Sequence, residues 1–204
     1  MSWINTVNVE QAEGRLKKLY KLVMRPDGDV DNILKLHSLR PHSLEGHMAL
    51  YKNVLHHYGN SIPTSFLEAL GVLVSWLNSC EYCFIHHYEG MAKQVKDRDR
   101  AEQIKAAIEA DQAEQAFEGK EKAAIVYARK LTVTPKDMVE GDVIALRDAG
   151  YDDGEILEIN QVVAYFGYAN RTILGLGGST KGDLLGHSPN KSEDPNDWSH
   201  SSPD

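Results

Sequence analysis

Two cysteines, Cys80 and Cys83, stand in a C-x-x-C arrangement, and a histidine, His87, follows four residues after the second. On a helix beginning near Cys80, separations of three and four residues bring both sulfurs and the imidazole to one face. The thiolate is the reactive form of cysteine, so a base one turn from a thiol suits nucleophilic redox chemistry. The two sulfurs are not equivalent. Cys80 falls in the first turn, where unpaired amides and the helix dipole favour an anion, whereas Cys83 has His87 as a direct proton acceptor. The dipole is worth only about 0.3 to 1 kcal/mol at exposed sites, so the imidazole decides and Cys83 is read as the nucleophile.

Glu68 completes the group. It interrupts the otherwise apolar run from Phe66 to Leu77, and a carboxylate in such surroundings needs a partner. It lies ten residues before Asn78, and His87 lies nine after it, so an antiparallel hairpin turning at Asn78-Ser79 sets the two at similar height. A carboxylate there orients the ring and supports its positive charge as it accepts the thiol proton.

The same residue types allow other roles. Cys80, Cys83 and His87, with Glu68 or His86, could supply four zinc ligands, yet structural zinc generally draws its ligands from two separate turns and here three share one helix. No metal and no cofactor is expected. A structural Glu68 would pair with a cation such as Arg171. His86 sits about 100 degrees round the helix from His87 and faces a different neighbour, such as another subunit. His42, His47, His56 and His57 do not place three rings on one face and are read as solvated or hydrogen-bonded. Trp76, Tyr165, Phe166 and Tyr168 are read as core, and Asn170 and Arg171 are assigned no role.

The elements that must carry these residues are helices. Apolar positions at helical spacing, capping patterns and breakers predict helices over Val9–Met24, around Ile33–Leu36, and from Pro41 to about Tyr58. A buried helix follows Pro63 and runs to Leu77, and the Asn78 and Glu81 pair predicts a capping box for a helix from Cys80 toward Lys96. Further helices are predicted over Asp97–Asp111, Lys120–Leu131, Asp137–Asp148 and Ile156–Leu174, the last with an Asp152 and Glu155 capping box and a Gly-rich end. No segment alternates like a strand. One domain over residues 1–178 is expected, followed by a polar, flexible tail over 179–204 in which Trp198 stands out.

Composition narrows the function. With 204 residues the chain can bury a core, and a formal charge of −8 without a basic block argues against nucleic acid as partner. No apolar run reaches the roughly 20 residues that span a bilayer, so no membrane association and a cytoplasmic location are expected. A lone C-x-x-C pair in such a compartment is redox-active or metal-binding rather than a structural framework.

Glu68, eleven intervening residues, Cys80-Glu81-Tyr82-Cys83, three more residues and His87 together resemble the AhpD-like alkylhydroperoxidases of the carboxymuconolactone decarboxylase superfamily, in its peroxidase-related branch. Pro63 ahead of the motif and Asn170-Arg171 before the Gly-rich end look similar too. The resemblance implies an all-α, AhpD-like helical bundle, a homo-oligomer, and reduction of a hydroperoxide. Cys83 would attack, Cys80 would resolve the sulfenic acid as a disulfide, and His87 and Glu68 would relay protons. An unidentified dithiol or protein reductant would restore the thiols. Tyr82 departs from the family pattern, which has histidine there, and a phenol does not titrate near pH 7. Two alternatives are a dithiol-disulfide oxidoreductase acting on other disulfides, and lactone or decarboxylation chemistry like that of the superfamily's namesake, which has no use for the C-x-x-C pair.

Overall fold

The computed structural model describes residues 2–194 and 197–198. Among these the helices are α1 (Gly14–Val23), α2 (Asn32–Leu36), α3 (Pro41–Leu55), α4 (Thr64–Leu77), α5 (Glu81–Val95), α6 (Arg98–Glu109), α7 (Gly119–Val133), α8 (Glu140–Asp148) and α9 (Asp153–Leu176), with no strand among the described residues. None of the helices is long and apolar enough to cross a membrane.

The run without a polar face becomes the centre of the bundle. Pro63 fixes the entry to α4, and from Phe66 to Ser75 every residue is buried. α4 lies against α5, α9 and α7, with smaller contacts to α6 and α3. Burying a leucine such as Leu67, Leu70 or Leu73 contributes roughly 1.5 to 3 kcal/mol each, so this helix organises the rest. Close approach to α9 depends on Gly71, where an added Cβ would stand 2.2 Å from the Phe166 ring. A second, smaller cluster joins Leu16, Leu19, Tyr20 and Val23 of α1 to Leu44 and Met48 of α3, and to Trp198.

The helix boundaries differ from expectation where the backbone takes a special conformation. The first predicted helix splits into a 3-10 turn at Val9–Gln11 and α1, because Ala12 is extended and Gly14 has φ of +53°. Asn8 makes no side-chain cap. α3 stops at Leu55, with His56 at φ −122° already outside the helix. The Asp152 and Glu155 capping box of α9 forms as expected, with Asp152 accepting from the Glu155 amide at 2.8 Å.

The segment beyond Gly178 also differs from expectation: its described residues lie against the helices. Lys93 of α5 donates to the carbonyls of Gly186 (2.8 Å) and Leu185 (3.3 Å). Lys52 of α3, itself buried, donates to the Asp194 carbonyl (2.6 Å), the Ser192 hydroxyl (3.1 Å) and the Asp197 carbonyl. Trp198 packs beside Tyr51 with ring centroids 6.1 Å apart. A few point anchors hold a segment whose average composition signals none of them. Residues 195–196 and 199–204 of the predicted tail lie outside the described residues.

Candidate active site

The α4–α5 hairpin turns through a left-handed residue. Ser79 has φ of +55°, its amide donates to the Trp76 carbonyl, and the Cys80 amide donates to the Ser75 carbonyl, both at 2.9 Å. This is the Schellman ending of α4, with serine where glycine is usual. It replaces the expected Asn78 and Glu81 capping box. Cys80 consequently stands just ahead of α5 rather than in its first turn, with φ of −96° and ψ of 86°.

Despite that shift the predicted group assembles. Cys80 and Cys83 are free thiols within 3.6 Å of each other, both buried. His87 Nδ1 lies 2.7 Å from Glu68 Oε2, a contact in which Nδ1–H donates to the carboxylate and the ring is oriented by it. Glu68 does not meet Arg171, which donates to the Gly167 carbonyl of its own helix. Gly90 of α5 makes room for the carboxylate, since a Cβ there would come within 3.2 Å of Oε1.

The electrostatics divide the sulfurs. The Cys83 thiol hydrogen bond pulls the Cys80 pKa below its ordinary value, against burial and with help from the Cys83 amide and the Asn170 side chain. Cys83 moves the other way, raised well above its ordinary value by holding that shared proton, by burial and by the neighbouring Cys80 charge. The resting pair is therefore Cys83 thiol on Cys80 sulfur, opposite to the order that His87 at i+4 suggests. Location favours Cys83. With Glu68, His87, Tyr51 and Tyr165 it lines a cavity of about 70 Å³, while Cys80 borders a separate groove on the other side, beside Trp76, Phe84 and Lys105.

Several contributing residues escaped the sequence. Asn170, fully buried, donates to Ser75 Oγ (3.1 Å), accepts from Asn78 (2.9 Å) and hydrogen-bonds both sulfurs, so α9 clamps the turn that carries the thiols. Its signals were a polar residue late in an apolar helix and the resemblance at Asn170-Arg171, neither of which gave it a role. His56 lies 3.6 Å from Glu68 Oε1 and 3.0 Å from the Tyr51 hydroxyl, and burial lowers its pKa to about 4, keeping it neutral beside the carboxylate. His47 stacks on His37 at 4.7 Å and is lowered to about 3 by burial and by His37. His57 packs against Tyr58, His42 is exposed, and no metal-binding group of three or more His, Cys, Asp or Glu exists among the described residues.

Tyr82 and His86 point into a buried ionic cluster. The Tyr82 hydroxyl donates to Asp183 at 2.7 Å and accepts from the Ile33 amide at 3.2 Å; burial and Asp183 hold the phenol protonated. His86 stacks on Tyr82 at 4.5 Å and approaches Asp183 at 3.3 Å. Arg25 adds a buried guanidinium that meets Asp31 and Asp27 at 2.9 Å and Asp183 at 3.4 Å. Tyr82 thus anchors the C-terminal segment. Of the predicted core aromatics, Tyr165 and Phe166 are buried, the latter edge-on to His87 at 4.5 Å, whereas Trp76 and Tyr168 are 38 % and 40 % exposed.

No protein-family model and no curated protein matches the chain. Solved structures do share its fold. A peroxidase-related protein with an alkylhydroperoxidase AhpD core, from Ralstonia eutropha JMP134, aligns at TM-score 0.76 and 20% identity over 91% of this chain and 96% of that one. A peroxidase-related protein from Silicibacter sp. TM1040 aligns at 0.69 and 22% identity, over 80% and 83%. The debrominase Bmp8 aligns at 0.64 and 19% identity, over 81% and 85%. The fold is AhpD-like.

Proposed function

We propose that the protein is a thiol-dependent hydroperoxide reductase. The observation that carries this reading is the Glu68–His87 hydrogen bond of 2.7 Å inside the cavity that Cys83 borders, with Cys80 held within 3.6 Å. Cys83 gives its proton to the hydrogen-bonded Cys80 sulfur or to His87 and attacks the distal peroxide oxygen. The O–O bond breaks, and the alcohol or water leaves with a proton from the His87–Glu68 pair. Cys80, deprotonated, displaces hydroxide from the Cys83 sulfenic acid, and a second water forms. In sum, two thiols and a hydroperoxide give a disulfide, an alcohol and water, and an external dithiol returns the two electrons.

The cycle needs a reducing compartment, which favours the cytoplasm. Exposed Trp76 and the apolar groove beside it favour a homo-oligomer, to be measured by light scattering on the eluted protein. The direct test is intact mass after stoichiometric peroxide: loss of two hydrogens in the wild type and none in Cys83→Ser is the expected result. Unchanged thiols in the wild type would overturn the reading.

One observation favours a second reading. Cys80, not Cys83, is the more acidic thiol, and it borders the open groove. That order suits a dithiol-disulfide oxidoreductase, which would exchange with a small aryl disulfide faster than it reacts with peroxide.

A further inference from the structure

The cavity at Cys83 is not closed by helices alone. Gly186, His187, Ser188, Pro189 and Trp198 line it together with Cys83, Glu68 and His87. These residues come from the segment that follows α9, and the anchors already described fasten it on three sides. Asp183 binds Tyr82 and Arg25 at one end, Lys93 holds the carbonyls of Leu185 and Gly186 in the middle, and Lys52 holds Ser192, Asp194 and Asp197. Contact is tightest at Gly186, where a Cβ would stand 2.8 Å from the Glu89 carbonyl carbon and 3.0 Å from the Gly90 amide nitrogen. Those are backbone atoms of α5 in the turn directly after His87, and Gly186 itself has φ of +66°. No side chain can be inserted there without lifting the segment off the helix.

The cavity volume is about 70 Å³. A water needs roughly 10 to 15 Å³ on this measure, so the cavity admits a handful of water-sized groups and no aromatic ring with its substituents. Tyr51, Tyr165 and Trp198 are ring-shaped walls that cannot thin out to accommodate more.

Resting on the hydroperoxide reading, we infer that the described part of the C-terminal segment, Asp183 to Asp194 together with Trp198, is a roof that sets substrate size: with it in place Cys83 accepts hydrogen peroxide and the shortest alkyl hydroperoxides and excludes bulky ones. The determinant is steric, and it lies in the C-terminal segment rather than in the catalytic hairpin.

Two roof variants test it, truncation after Gly178 and Gly186→Val, each checked for helical content. The first readout is independent of peroxide. In a Cys80→Ser background, Cys83 is alkylated with iodoacetamide and with pyrenyl maleimide. Either variant is expected to raise the bulky reagent's relative rate by at least about tenfold, as steric discrimination of this order requires. The second readout is disulfide formation by intact mass with hydrogen peroxide and with cumene hydroperoxide, whose rate ratio should fall by a similar factor. Unchanged ratios in a folded roof variant overturn the inference and leave the proposed function standing. A wild type alkylated in a size-dependent way, yet oxidised by neither peroxide, overturns the hydroperoxide reading and this extension of it together.

Discussion

The α4–α5 hairpin and the segment after α9 enclose the same cavity by opposite means. The hairpin is apolar, helical and continuous, and it sets its functional groups by register: Glu68 and His87 meet because they stand nearly equal distances from the turn. The C-terminal segment has no helix among its described residues and holds its position through Asp183, four carbonyl contacts at Lys52 and Lys93, and one tryptophan. Periodic burial spreads its stabilisation over many residues, whereas point anchoring concentrates it in a few. Loss of a hairpin group should therefore stop chemistry, and loss of an anchor should change access.

The sharpest break in that comparison comes from Cys83→Ser, which should abolish peroxide-driven disulfide formation altogether. The partner variant Cys80→Ser should lose a single thiol and accumulate a dimedone-reactive sulfenic acid at Cys83; trapping at Cys80 in the Cys83→Ser protein instead would reverse the roles of the sulfurs. Next in size, Glu68→Gln should slow thiol oxidation by about 10²-fold, the lower end of general acid-base effects, with the far-ultraviolet spectrum unchanged. Asp183→Asn, which disturbs only an anchor, should alter the hydrogen peroxide rate by far less, and equal losses in the two would erase the distinction drawn here.

Acid should act through neither region but through the buried histidines of α3 and its end. His56 and His47 are neutral in the fold, with pKa values lowered to about 4 and about 3, while an unfolded histidine titrates near 6.5. Between those values the unfolded chain binds the extra protons, so stability is fully present above about pH 6.5 and is lost as pH falls toward 4. The loss from His56 alone is on the order of 3 kcal/mol, and His56→Gln should flatten the dependence of Tm on pH in that window. The smallest effect belongs to Lys93→Ala. Its contacts are with partly exposed carbonyls, so unfolding free energy should fall by no more than about 1 kcal/mol, while amide exchange at Leu185 and Gly186 accelerates.

The hairpin was legible because one helix and the next carry their information locally. An apolar run with a single carboxylate, a turn and an i, i+3, i+7 face suffice to bring Glu68, Cys80, Cys83 and His87 together. The capping detail failed for a local reason as well: Asn78 and Glu81 look like a box, yet Ser79 adopts the left-handed conformation and ends α4 before α5 begins. The sulfur acidity could not be read from the chain, since it depends on which thiol donates to the other and on Asn170 arriving from α9. Asp183 and Trp198 carry no periodic signal whatever. Their partners Tyr82, Arg25 and Tyr51 lie more than a hundred residues away, and polar composition around them reads as absence of structure.

Phe166 fills the hollow left by Gly71 and at the same time stands edge-on to His87, so one ring serves both the packing of α4 on α9 and the attitude of the imidazole. Mutational drift at this layer cannot be neutral for one and harmful for the other. Lineages of this protein would have to change positions 71 and 166 in concert, and an engineer seeking thermostability should leave the pair alone and work on the outer helices α6 and α8.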